Sequence, residues 1–302
     1  MTELQTAVPA DATAVVAGGA RHGRVRALLR NPSGVIGLAL LAIPLILAVI
    51  DRLGVLPYTP TEQNAPDRLQ GPSGDHLFGT DQFGRDLLAR VAGGVANSLL
   101  VAFLAVAVAA VVGTLAGLVA GFYRGAADSV IGAVSNVIFA FPPLLLALCV
   151  ASVVDRNRVT VALSIAIVYV PIFTRVVRGP VLSLREVEFV RAATATGQSR
   201  LSVMLRHVLP NVTPILVVQI TLSLSWAVLT EAALSFLGLG IPLPSASLGS
   251  MIYEARTLMY RSPATMVFPG VVVVLIVVSL NLLGDGLRDT LDPRATTRNG
   301  TA

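Results

Sequence analysis

Six apolar stretches alternate with polar, arginine-bearing connections along the chain: Val35–Ile50, Leu99–Gly121, Ile131–Val154, Val159–Val177, Ile215–Leu237 and Ala264–Leu283. A helical crossing of a bilayer takes about 20 apolar residues, with a range of roughly 17–25. The pattern therefore predicts an all-α polytopic membrane protein with six transmembrane helices. Val35–Ile50 is short and is expected to recruit Asp51–Val55 at an interface. Pro142, Pro143 and Pro171 fall inside the third and fourth stretches. A proline in a spanning helix frees backbone carbonyls and bends the axis, so these are hinge candidates, with a static kink as the plainer alternative.

Composition agrees with this pattern. The 302-residue chain is 54% hydrophobic and 13% charged, with a mean hydropathy of +0.78. A soluble domain carries about a quarter charged residues. Residues 1–30 have no apolar core between the basic residues and a small-residue cleavage site, so they do not read as a cleaved signal peptide; Met1–Ala20 is mostly small and polar. Arg21, Arg24, Arg26 and Arg30 precede the first stretch and place the N-terminus in the cytoplasm by the positive-inside rule. Six crossings return the C-terminus to the same side. The segment between the fourth and fifth stretches carries Arg178, Arg185, Arg191, Arg200 and Arg206, and the tail carries Arg288, Arg294 and Arg298. Asp51–Asn97, expected outside, has four arginines against six acidic residues. Arg156 and Arg158 stand against the rule.

All 22 basic residues are arginine. A phosphate-binding P-loop needs a lysine after its glycines, so this chain is not itself a P-loop ATPase. Cys149 is the single cysteine and the three histidines, His22, His76 and His207, lie far apart, so neither a disulfide nor a zinc spacing is present.

The richest segment is Arg185–Asn211. Ser183-Leu184-Arg185-Glu186 fits a capping box, which predicts a helix over Leu184–Thr196 with Phe189, Ala192, Ala193 and Thr196 on one small-residue face. Gly197 stands where a helix end favours positive φ. Ser199 can cap a second helix with Leu201, Met204, Leu205 and Val208 on its apolar face, and Pro210 is expected to end it. Two readings fit this helix-turn-helix: an amphipathic element lying on acidic lipid, or a docking element seated in a groove of a cytoplasmic partner.

Elsewhere, Thr80–Gly94 can form an outer helix capped by Asp81, with Phe83, Leu87, Leu88 and Val91 as its apolar stripe. It would rest at the interface, contact an external protein, or do both. In the fifth stretch Gln219, Ser223, Trp226 and Thr230 fall on one helical face. Polar side chains at membrane depth face protein or a water-filled cavity, so these are pathway candidates. Glu231 is the one acidic residue well inside a predicted crossing. It could serve a pathway or gate, reach interfacial water, or brace a neighbouring helix. Gly238–Ser262 reads as a loop that turns helical at Met251–Tyr260, an outer gate, a docking surface or an ordinary capped loop. Asn281–Pro293 reads as a span end with Asp285 and Arg288 in the cytoplasmic interface.

Ala192-Ala193, three residues, Gly197, nine residues, then His207-Val208-Leu209-Pro210 resembles the EAA loop of bacterial ABC importer permeases. Arg191 stands where the general motif has Glu, and His207 where it has Ile. His76–Leu100, Phe139–Leu148, Thr230–Pro244 and Asn281–Arg294 resemble the C-type permease of dipeptide, oligopeptide and nickel importers, with Leu248 where that family usually has Trp. The resemblance implies a type I ABC importer permease fold: a cytoplasmic tail over residues 1–34, a first transmembrane helix and extracytoplasmic loop over 35–95, a transmembrane domain over 96–288 holding the EAA loop at 183–211, and a second tail over 289–302. It implies a coupling helix that contacts the ATPase through Glu188, Phe189, Ala192, Ala193, Thr196, Gly197 and Arg200. It also implies a homologous permease as heterodimer partner, one or two ABC ATPase subunits that hold ATP and magnesium, and an extracytoplasmic solute-binding protein. The chain itself would bind no cofactor, metal or nucleic acid, would perform no covalent chemistry, and would sit among membrane lipid in a bacterial cytoplasmic membrane. Short peptides are the favoured cargo, with nickel chelates or other small solutes next. The competing classes are a proton-coupled secondary transporter using Glu231 and a membrane scaffold with no pathway.

Overall fold

The computed structural model describes residues 27–291 and is all-helical over them apart from one isolated bridge between Thr80 and Asp86. The arginines at 21, 24, 26, 294 and 298 and His22 lie outside the described residues. The elements are α1 (Pro32–Arg52), α2 (Leu87–Tyr123), α3 (Gly125–Phe139), α4 (Pro143–Val153), α5 (Arg158–Leu184), α6 (Glu188–Ala195), α7 (Arg200–Phe236), α8 (Leu248–Ala255) and α9 (Ala264–Leu291). Five of them, α1, α2, α5, α7 and α9, are long and apolar enough to cross a membrane. The expected third crossing is instead two helices, α3 and α4, meeting at 91°. Pro142 and Pro143 cause this break. Pro142 is the N-cap of α4 and Pro143 its first residue, and neither can donate to a helix arriving from α3.

α1 starts where Asn31 accepts from the Gly34 amide and Pro32 presets the first turn. It lies along α9 at close range: a Cβ on Gly37 would meet the Leu283 amide nitrogen at 2.6 Å. Asn31 Nδ2 also donates to Asp289 Oδ2 at 3.1 Å.

α2 departs from the sequence expectation. Thr80–Gly94 is not an outer helix capped by Asp81. Asp81 Oδ1 accepts from the Phe83 and Arg85 amides and closes a turn. The helix begins at Leu87, where Asp86 accepts from the Ala89 amide at 2.8 Å, and runs unbroken for 37 residues. Of the expected stripe, Leu87 and Val91 are buried and Phe83 is exposed. At a rise of 1.5 Å per residue, α2 is about 55 Å long and stands well beyond a ~30 Å hydrocarbon core. The expected boundary between residues 95 and 96 falls inside it.

The core is built where α2 meets α5. Gly113, Gly117 and Gly121, each four apart, line the contact. A Cβ on Gly117 would meet Thr174 O at 2.6 Å and Val177 Cβ at 2.8 Å. Small residues at this spacing let two backbones approach, which is how helices gain dispersion contacts in a medium that offers no hydrophobic drive between them. Gly117→Val should therefore cost about 1–3 kcal/mol of packing, read as a lowered unfolding temperature of the detergent-solubilised chain.

Candidate functional site

Three polar constellations are placed by this frame, one at each end of the bundle and one within α7. The first is the α6 elbow. α5 runs on to Leu184, so Ser183 lies in its last turn and cannot cap a new helix. Glu186 does not reach back to Ser183; its carboxylate lies 3.3 Å from Arg124 Nη2 and 3.2 Å from Arg185 Nε. Arg185 Nη1 donates to Phe122 O at 2.6 Å, which clamps the exit of α5 to the end of α2. The short helix α6 therefore starts at Glu188, four residues later than the capping pattern predicts, and its N-cap, Val187, offers no side-chain acceptor.

The faces of α6 sort the expected contact residues. Val190 and Ala193, three apart, turn inward; Ala193 is 7% exposed. Glu188, Phe189, Ala192, Thr196, Gly197 and Arg200 are exposed. Ala193 thus belongs to the chain's own core, because the stripe that anchors α6 starts at Val190 and not at Phe189. Gly197 has φ 82°, and Ser199 accepts from the Ser202 amide to start α7. His207 Nε2 donates to Gln198 Oε1 at 3.2 Å and ties the turn to α7. A cleft of ≈ 510 Å³ opens beside the elbow, lined by Tyr123, Arg185, Glu186, Arg191, Thr194 and Arg200.

Pro210 does not end the second helix. The Leu209 amide donates to Met204 O, a π-type turn over Met204–Val208, and the chain continues as one helix to Phe236. The wider turn accommodates the Pro210 ring, so the helix goes on past the residue that lacks an amide donor. The predicted apolar face splits accordingly. Met204 and Val208 are buried, while Leu201 and Leu205 are exposed.

Within α7, the four polar positions do not form one uniform surface. Ser223 is buried and accepts from Gln219 Nε2 at 3.0 Å. Thr230 faces Tyr169 on α5, hydroxyl to hydroxyl at 3.3 Å. Trp226 is 61% exposed. Glu231 does not reach interfacial water. It is 0% exposed, accepts from Ser235 Oγ at 2.6 Å, and has Ser98 and Ser247 beside its carboxyl. It braces α7 against the loop that leads to α8. The first turn of α8 lies almost on the α7 backbone: a Cβ on Gly249 would run into Ala232 O. The loop's helix starts at Leu248, not Met251, because Ser247 and Ser250 form a capping box, and it ends at Ala255. Leu248 is fully buried, and its amide donates to Ser98 Oγ.

The third constellation escapes sequence reading. At the α8 end, Arg85 and Arg90 converge on Glu254 Oε2, at 2.5 and 3.0 Å, and both also face Asp81 Oδ2. Arg90 is 1% exposed. Beside them, His76 Nδ1 lies 2.9 Å from Asp86 Oδ2. These residues tie the loop before α2, the start of α2 and the end of α8 into one cap. The only sequence signal was the charge density of Asp81–Arg90. Glu254 is 164 residues from Arg90, with nothing in the local pattern to pair them.

Of the hinge candidates, Pro142 and Pro143 stand at the 91° break, whereas Pro171 is buried inside the unbroken α5. Among the described residues no cluster of three or more His, Cys, Asp or Glu side chains could hold a metal ion.

Residues 113–297 match the family model described as the inner membrane component of binding-protein-dependent transport systems. The dipeptide transport system permease protein DppC of Alkalihalophilus pseudofirmus is 40% identical over 267 residues, covering 88% of each chain. The glutathione transport system permease protein GsiD of Escherichia coli O157:H7 is 41% identical over 257 residues, covering 85% of each. Among solved structures, an inward-facing conformation of the MetNI methionine ABC transporter superposes with a TM-score of 0.54 at 20% identity, covering 68% of this chain and 96% of that one.

Proposed function

The chain belongs to the family of binding-protein-dependent transport system inner membrane components, and from that premise we propose that it is the permease subunit through which an ATP-driven ABC importer moves short peptides. The chain is not an ATPase; hydrolysis of ATP resides in separate subunits. Dipeptide and glutathione permeases at 40 and 41% identity support the peptide class.

The observation that carries the mechanical part is the exposed face of α6. Glu188, Phe189, Ala192 and Thr196 point away from the bundle while Val190 and Ala193 hold the helix to it. An element anchored on one side and bare on the other suits a cytoplasmic ATPase that grips it. In this reading the α6 end faces the cytoplasm, with both termini, and the α8 cap faces outward toward a solute-binding protein. A homologous permease completes the pathway along α7, where Trp226 and the Gln219–Ser223 pair lie. ATP and magnesium sit on one or two ATPase partners, and closure of those subunits pushes α6. The break at Pro142-Pro143 is where the bundle bends as access alternates.

Reconstitution decides the reading. Proteoliposomes holding this chain, its sister permease and the ATPases, supplied with the binding protein, should accumulate labelled dipeptide only when ATP is inside. Accumulation of nickel chelate in place of dipeptide would replace the cargo class. No ATP-dependent accumulation of any solute would overturn the proposal.

A further inference from the structure

α5 carries two arginines one turn apart, and the fold treats them differently. Arg178 is held by Asp128 of α3 in a two-pronged pair, Nε to Oδ1 at 2.5 Å and Nη2 to Oδ2 at 2.7 Å. Arg175 has no carboxylate partner among the described residues and is exposed. Its guanidinium lies over the Phe139 ring, 4.4 Å from the centroid. Phe139 is the last residue of α3, so this stacking holds the guanidinium at the mouth of the 91° break.

Depth makes this placement costly. Arg175 stands nine residues before the end of α5, about 14 Å along the axis. α5 has 27 residues and is about 40 Å long, against a ~30 Å hydrocarbon core, so with its Arg158 end at one edge of that core Arg175 falls about 26 Å across, just inside the other edge. The cleft around it measures ≈ 570 Å³ and is lined by Asp128, Ser129, Ser135, Asn136 and Thr174 together with the two arginines, with Ile131 and Ala133 as its apolar part; Asp128 is already paired with Arg178. α3 contributes no buried residue to the chain's own core. A polar wall with an uncompensated cation cannot face lipid without penalty; such groups face protein or a water-filled cavity, and no described residue of this chain buries the exposed Arg175.

We propose that Arg175 receives the C-terminal carboxylate of a peptide in transit. The inference rests on the peptide-import reading above. A guanidinium offers a planar fork that matches a carboxylate with two parallel hydrogen bonds, and stacking on Phe139 presets its plane. The terminal carboxylate is the one anion that unmodified peptides of every sequence share. A single arginine facing the path would therefore serve varied cargo without reading side chains.

The test uses the complete reconstituted importer and one dipeptide in two forms, the free acid and the C-terminal amide. Comparing the acid-to-amide ratio between wild type and variant with the same binding protein cancels that protein's own selection. Arg175→Gln should lower the ratio about tenfold through KM for the acid, the scale of one lost charge-assisted hydrogen bond, and Arg175→Lys should recover part of it. Equal losses for acid and amide would assign Arg175 to packing or to a sister-chain contact and overturn the proposal. An unchanged ratio would do the same. A second readout needs no amide uptake. In a Cys149→Ser background, Arg175→Cys should react with a water-soluble methanethiosulfonate in the assembled importer. A cysteine there that never reacts would place the residue off the path. Failure of wild type to import either form would instead remove the underlying reading of function.

Discussion

Ala192→Trp should leave the protein inserted and folded yet lower ATP-driven uptake at least about tenfold, the effect of some 1.4 kcal/mol of lost docking energy. Ala192 is exposed on the outward face of α6, between Phe189 and Thr196. An indole there fills space that a partner surface needs. Uptake by proteoliposomes, measured beside ATP hydrolysis by the same complex, checks it; hydrolysis that continues while uptake stops marks uncoupling. Ala193→Trp supplies the contrast. Ala193 is packed inside, so the same indole should overpack the anchor of α6 and cost about 1–3 kcal/mol of folding. That loss would appear in the thermal denaturation of the chain alone, with no partner present. Normal uptake by Ala192→Trp would remove α6 as the point of grip.

The second large effect lies at the opposite end. Glu254→Ala leaves Arg85 and Arg90 facing each other, with Asp81 as their remaining counter-charge. Removing one member of a buried ion group costs about 3–5 kcal/mol, because the surviving charges stay dehydrated without compensation. The detergent-solubilised protein should show a sharply lowered unfolding temperature, and proteolysis should begin in residues 53–86. Arg90→Met combined with Glu254→Met should recover much of the loss, since apolar groups of similar volume carry no desolvation cost. Equal instability of the single and double variants would show that packing, and not charge, holds the cap.

Much of this architecture is legible from hydropathy alone, because a crossing helix must satisfy its own backbone and show lipid an apolar surface. Five of the six apolar stretches became single helices for that reason. The failures arise where a local signal met a competing contact, in some cases from far along the chain and in others from the next turn. Ser183 looked like a cap, but α5 had further to run because Arg185 fastens its exit to Phe122. Pro210 looked like a stop, but a wide turn at Met204–Val208 carried the helix past it. Glu231 looked like a charge near water, but Ser235 and the close approach of the Gly249 backbone enclose it. Of the elbow residues, sequence placed Gly197 in its left-handed turn and Ser199 at its cap. It could not separate Ala192 from Ala193, since adjacent alanines differ only in which way the helix is rotated.

The continuity of α7 through Pro210 turns the molecule into a lever. One rod of 37 residues reaches from the arginine-bearing elbow to the loop that rests on Glu231. With a length of about 55 Å, a tilt of only about 5° displaces its far tip by about 5 Å. A small shift at the elbow is thereby enlarged at the far end of the helix, less whatever bending the wide turn at Met204–Val208 and Pro214 allow.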